Sequence, residues 1–172
     1  SSQREALYDG VEPPLGLIYL LTYLNREYGS RVNGKIAKSR TDFDNYEELK
    51  ELIESFKPAI IGIRTLSHHS DFFHKTVALI RQWVIDVPII AGGPYATSDY
   101  EVILQDPNID LVVRGEGELT FSELVGKIMA NQGWLPDDEV LKEIPGLAFI
   151  PREQASMFSF FRRILMLDGL DN

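Results

Sequence analysis

Three short runs constrain this chain most: AIIGIRT at residues 59–65, PIIAGG at 88–93 and IDLVVRG at 109–115. Each carries apolar side chains at consecutive positions and is too short for a buried helix. A strand that is apolar on both faces is covered on both faces, which is the condition of strands in a parallel sheet. Between these runs lie stretches with helical periodicity. Residues 46–56, YEELKELIESF, place Leu49, Leu52, Ile53 and Phe56 on one side and end at Lys57-Pro58. Further helices are expected over residues 71–83, 98–105 and 119–129. An opening helix, LIYLLTYLNREYG, follows Pro13-Pro14, has leucines at 17, 20, 21 and 24, and stops at Gly29. Weaker strands are expected at residues 31–38 and 146–150.

Strands alternating with helices of this length specify an α/β fold. The expectation is a doubly wound, mostly parallel sheet of five or six strands, of the flavodoxin or Rossmann type. At 172 residues, with 44% hydrophobic content, the chain suffices for one core and one domain.

The order of elements has one irregularity. The chain opens on a polar stretch and then a helix, with no strand to feed that helix. The tail, MFSFFRRILMLDGLDN at residues 157–172, contains the apolar run Ile164 to Leu167 followed by Asp168-Gly169. The domain therefore divides into residues 1–156, from the first helix to the last strand in order, and residues 157–172 as the fold's first strand placed last. A circular permutation or a reordered segment would produce this, and Met157 has the character of an original initiator. The competing assignment for the tail is an amphipathic helix with Phe158, Phe161, Ile164, Leu165 and Leu167 roughly on one face.

Composition removes several functions. Seventeen Lys and Arg against 26 Asp and Glu give a net charge of −9, the opposite of what phosphate-backbone binding requires, so nucleic acid is not expected as a partner. No apolar run reaches the roughly 18 to 20 residues of a membrane span and no signal pattern opens the chain, so a soluble cytoplasmic protein without a membrane partner is expected. Cysteine is absent. Disulfides, thiolate catalysis and a cysteine-held zinc or iron–sulfur cluster are thereby excluded within these residues. There is no P-loop, dinucleotide fingerprint or nucleophile elbow.

In open α/β sheets ligands lie outside the carboxyl ends of the strands, so the loops there are the informative ones. They read RTLSHHS from Arg64, GGPYATS from Gly92, RGEGELT from Arg114 and DGLDN from Asp168. Glycine in such a turn admits close approach of a ligand, although tight strand-to-helix turns use glycine in any case. Glu116 and Glu118 suit the positive end of the following helix, where each contributes about 0.3 to 1 kcal/mol. Histidines 68, 69 and 74 lack a ligating geometry, and no metal site is expected from them.

Taken in order, PPLGLIYLLTYL, the polar loop with Thr65 and Ser67, GGPYAT, DLVVRGEGELTFSEL and IPGLAF resemble the cobalamin-binding domain of cobalamin-dependent radical S-adenosylmethionine enzymes. The resemblance covers nearly the whole chain. It implies a corrinoid carried at the carboxyl edge of the sheet, with the nucleotide tail of cobalamin in a slot beside the first strand. By position, Thr65, Leu66 and Ser67 offer hydroxyls and an apolar wall, and His68 lies where it touches the corrin. Gly92 and Gly93 let the tail pass against the backbone, while Pro94, Tyr95 and Ala96 pack near it. Gly115, Glu116 and Gly117 close the site, and Asp168, Gly169 and Leu170 form the first-strand loop. Better-known corrinoid carriers place a cobalt-ligating histidine in that loop; Leu170 cannot coordinate, so cobalamin without a protein histidine ligand is implied. The iron–sulfur cluster and S-adenosylmethionine belong to a separate catalytic barrel, in cis or in trans, of methyltransferase type. Without cysteine this chain is not catalytic alone. The alternative function is a flavodoxin-like regulatory domain of the receiver type, with Asp168 as phosphoacceptor, although Arg114 stands where a receiver would place a lysine.

Overall fold

The computed structural model describes residues 13–64, 69–151 and 163–168. The chain runs α1 (Leu15–Tyr28), a 3-10 turn, β1 (Asn33–Lys38), α2 (Tyr46–Phe56), β2 (Ile60–Arg64), α3 (Ser70–Gln82) and β3 (Ile89–Gly92). There follow α4 (Pro94–Ser98), α5 (Tyr100–Ile103), β4 (Leu111–Val113), α6 (Gly117–Ala130), α7 (Asp138–Lys142), β5 (Leu147–Ala148) and β6 (Arg163–Asp168).

The sheet has the order β1-β6-β2-β3-β4-β5. All pairings are parallel except β4 with β5. Residues 163–168 of the tail form a strand, as the strand assignment expected, and it lies inside the sheet between β1 and β2. Ile36 pairs with Met166 on one side, and Gly62 pairs with Met166 on the other.

The period of two along the strands sorts side chains into two cores. Leu165, Leu167, Ile61, Ile63, Ile89 and Ala91 face α2, α3, α4 and α5, where Leu49, Ile53, Phe73, Val77 and Ile103 meet them. Ile164, Met166, Ile60, Ile90, Leu111 and Val113 face α1, α6 and α7, against Leu17, Leu20, Leu24, Phe121, Leu124 and Leu141. Consecutive apolar residues in the strands thus serve opposite faces, which is why the runs do not alternate.

The helices stop where local chemistry requires. The Asn45 side chain caps the start of α2, accepting from the Glu48 amide at 2.9 Å, while the Glu48 carboxylate accepts from the amide of Asp44, one residue before the cap, at 2.8 Å. The single helix expected over 98–105 is instead two. Pro94 takes the first helical position directly after Gly93, and Asp99, at φ −125°, interrupts the helix before Tyr100.

Candidate functional site at the carboxyl edge of the sheet

A cavity of about 530 Å³ opens between the sheet and the first turns of α1 and α6. This is within the size range of small-molecule and cofactor sites. Its wall on the sheet is built from Met166 of β6, Gly62 and Arg64 of β2, Ile90 and Gly92 of β3, and Val113 of β4. Leu17, Leu20 and Phe121 form the opposite wall. The polar groups belong to the rim, where Thr97, Ser98, Glu116 and Glu118 join Arg64.

Two glycine turns shape that rim. Gly93 has φ +91° and Gly115 has φ +72°, values that L side chains rarely adopt. The Thr97 hydroxyl joins the turns, donating to the Gly93 carbonyl and accepting from the Gly115 amide, both at 3.0 Å. A side chain at Gly92 or Gly16 would enter open space within the cavity. Backbone is therefore presented bare to whatever fills it.

Of the residues expected at the site, Gly92, Gly93, Pro94, Gly115, Glu116 and Gly117 line this one cavity. Glu116 precedes α6 without capping it through its side chain, while Glu118 lies in the first turn.

Tyr95 and Ala96 do not face the cavity and correct the expectation that they pack near the ligand. Both are buried on the other side of the sheet. The cause is helical: α4 begins at Pro94, and its next two residues turn into the core. The Tyr95 hydroxyl lies 3.1 Å from His74 Nε2, whose Nδ1 is 2.5 Å from Asp106. Burial, with Asp99 adding to it, raises the Tyr95 pKa above its ordinary value. His74 is thus an internal connector between α3, α4 and the turn before β4.

Asp168 lies at the end of β6, buried, with Arg64 Nη1 at 3.0 Å and Lys38 Nζ at 3.9 Å. Its carbonyl also accepts from the Ser39 amide at 3.0 Å. The carboxylate neutralises a cation from each flanking strand and pins the three strand ends together. Thr65, Leu66, Ser67, His68, Gly169 and Leu170 fall outside the described residues. Among the described residues no group of three or more His, Cys, Asp or Glu is arranged to hold a metal, and no helix is long and apolar enough to cross a membrane.

Sequence reasoning missed Gly16, Leu17, Leu20, Gly62, Arg64, Thr97, Ser98, Phe121 and Met166 as lining residues. Gly62, a lone glycine inside an otherwise apolar strand, was the available signal of a close approach.

Sheet order and cavity position define a doubly wound α/β ligand-binding domain with its site at the carboxyl edge. Residues 6–125 match the B12 binding domain family, and the chain belongs to it. It is 34% identical over 139 residues to an uncharacterized methyltransferase of Pyrococcus horikoshii, covering 80% of this chain and 28% of that protein. It is 24% identical over 163 residues to the anaerobic magnesium-protoporphyrin IX monomethyl ester cyclase of Cereibacter sphaeroides, covering 94% of this chain and 26% of the cyclase. A third relative is the cytidylyl-2-hydroxyethylphosphonate methyltransferase of Streptomyces wedmorensis, 28% identical over 143 residues, with 74% of this chain and 26% of that enzyme covered. The chain spans roughly a quarter of the length of each.

Proposed function

We propose that this domain holds cobalamin for a catalytic domain of the radical S-adenosylmethionine class, in a methyltransferase-type system, with the nucleotide tail in the cavity between β6, β2, β3 and helices α1 and α6. The observation that carries this is the cavity itself, an apolar slot with bare glycine backbone at its mouth in a B12-binding fold. Cobalamin, when bound, supplies a cobalt centre able to carry a methyl group or change redox state. This chain's own residues would bind and orient it: Leu17, Leu20 and Phe121 exclude water from the tail, and Gly92, Gly93 and Gly115 let it pass against their bare backbone. Gly169 and Leu170 follow Asp168 in the sequence, and a leucine side chain offers no cobalt ligand.

We infer further that β6 plays the part of the fold's first strand, since it lies parallel between β1 and β2 and ends beside the cavity. The catalytic partner is supported by the sequence resemblance, by the two methyltransferases among the relatives, and by the quarter-length coverage. Near the cavity mouth the first turns of α1 and α6 expose Leu15, Tyr19 and Leu119 at 55%, 63% and 70%, an apolar surface fitted to such a partner. The receiver alternative gains no support from Asp168, whose carboxylate is engaged by two cations.

The test is a visible-absorbance titration with hydroxocobalamin followed by desalting. Retained colour, with the spectrum shifted to that of a corrinoid whose lower base has left cobalt, is expected. A folded protein that elutes colourless refutes the proposal.

A further inference from the structure

We propose that Met166, lying over Gly62, forms the floor of the cavity and makes the site select corrinoids by their lower base, favouring dimethylbenzimidazole over a purine. The inference rests on the cobalamin reading above and adds to it the part of the ligand that the floor recognises.

The floor follows from strand register. Met166, Gly62 and Ile90 are direct neighbours across β6, β2 and β3, and all three line the cavity. Side chains of residues in register stand side by side on one face. Glycine in the middle position therefore leaves a notch between two larger groups. The Met166 thioether leans into it: a Cβ built on Gly62 would lie 2.5 Å from Met166 Sδ and 2.6 Å from Cε. A residue of any other kind at 62 would displace the thioether, and the free direction is toward the cavity. One step nearer the sheet edge the paired positions are Arg64 and Gly92, so the groove continues from rim to floor along two glycines on adjacent strands.

The chemistry changes along this groove. The side chains at the inner end are Met166, Ile90, Leu17, Leu20 and Phe121, with no strong donor or acceptor among them. The strand amides and carbonyls there are engaged in the parallel ladder. Donors and acceptors appear at the rim, in Arg64, Thr97, Ser98, Glu116 and Glu118. The six-membered ring of adenine carries two ring nitrogens and an exocyclic amine, whereas that of dimethylbenzimidazole is all carbon and carries two methyl groups. Seated on this floor, the purine's polar atoms lose water and gain no partner, whereas the methyl groups lose only unfavourable hydration. Methionine is unbranched and polarizable, which suits packing against a flat heterocycle.

The test measures binding of three corrinoids to the full 172-residue chain: cobalamin, the adenine-bearing cobamide, and cobinamide, which has no nucleotide. Wild type is expected to hold cobalamin about ten- to a hundredfold tighter than the adenine form, the discrimination one or two unpaired buried polar groups confer. Met166→Gln, which brings an amide to the floor, is expected to shrink that ratio by about tenfold, and Met166→Leu to preserve it. Gly62→Ala, by pushing the thioether into the slot, is expected to lower affinity for both nucleotide-bearing forms toward that of cobinamide. Unchanged cobinamide binding and thermal unfolding verify that each variant is folded. Corrinoid binding with equal affinity for the two bases, or an unchanged ratio in folded Met166→Gln, overturns the inference and leaves the cobalamin reading standing. Absence of all corrinoid binding by folded wild type overturns both.

Discussion

Replacing Asp168 by alanine removes a buried counter-charge from Arg64 and Lys38 at the carboxyl ends of β2 and β1. The carboxylate is 7% exposed, Arg64 35% and Lys38 17%. Removing one partner of a fully buried ion pair costs about 3 to 5 kcal/mol, because the other charge is left without compensation. Here the cost is smaller, since a guanidinium one-third open to water recovers part of its hydration, and the Lys38 contact at 3.9 Å is long. A loss of about 1.5 to 3 kcal/mol is expected, or about 3 to 12 °C in Tm for a domain of this size. Asp168→Asn retains an oxygen for Arg64 and is expected to lose less than alanine. The assay is urea unfolding at 25 °C, with the slope m compared between variants to establish that the unfolding transition is the same. A change within about 0.5 kcal/mol of wild type for Asp168→Ala would refute the argument that this carboxylate holds β6 between β1 and β2.

Gly146→Ala is expected to destabilise by about 1 to 3 kcal/mol in the same assay, because a methyl there meets Thr120 Oγ1 at 2.8 Å and the Arg114 carbonyl at 3.3 Å, at φ +82°. Tyr95→Phe removes the hydroxyl contact with His74, costing about 0.5 to 1.5 kcal/mol at neutral pH. Its alkaline behaviour is more specific. The folded-state pKa of Tyr95 is raised above 10.0 by burial, so the folded protein keeps a proton that the unfolded chain releases. That contribution is present in full below pH 10 and is lost as pH rises from there through the folded value. Unfolding measured across pH 9 to 11.5 is therefore expected to show a shallower alkaline decline in Tyr95→Phe than in wild type, and equal slopes count against it.

The layered fold was legible because hydrophobic pattern and layer architecture are tightly coupled. A run such as IIGI can be satisfied only with cores on both sides, and the structure supplies them in Ile61 and Ile63 on one face and Ile60 on the other. The tail was ambiguous for the same reason that short apolar runs always are: residues 164–167 satisfy a helix face and a two-sided strand equally well. Only the vacancy in the sheet between β1 and β2, a long-range fact, selects the strand.

The site was legible in its turns and illegible in its floor. Gly92, Gly93, Gly115 and Gly117 announce themselves because a strand-to-helix turn is a local feature of sequence. Tyr95 misled because Gly93 and Pro94 before it line the cavity, whereas the first turn of α4 rotates it, with Ala96, into the opposite core. Met166 and Gly62 are 104 positions apart and become a unit only through the register of two parallel strands. A slip of two residues along β6 would keep every apolar side chain on its proper face, and so would satisfy the sequence pattern equally well, yet it would put Ile164 or Asp168 beside the Gly62 notch. The Asp168 interactions favour the observed register, in which its carboxylate reaches both Lys38 and Arg64 at the strand ends. The charge cluster at the rim thereby helps to place Met166 on the floor, so that the selectivity proposed for the cavity would rest in part on the Asp168 carboxylate, which does not itself line it.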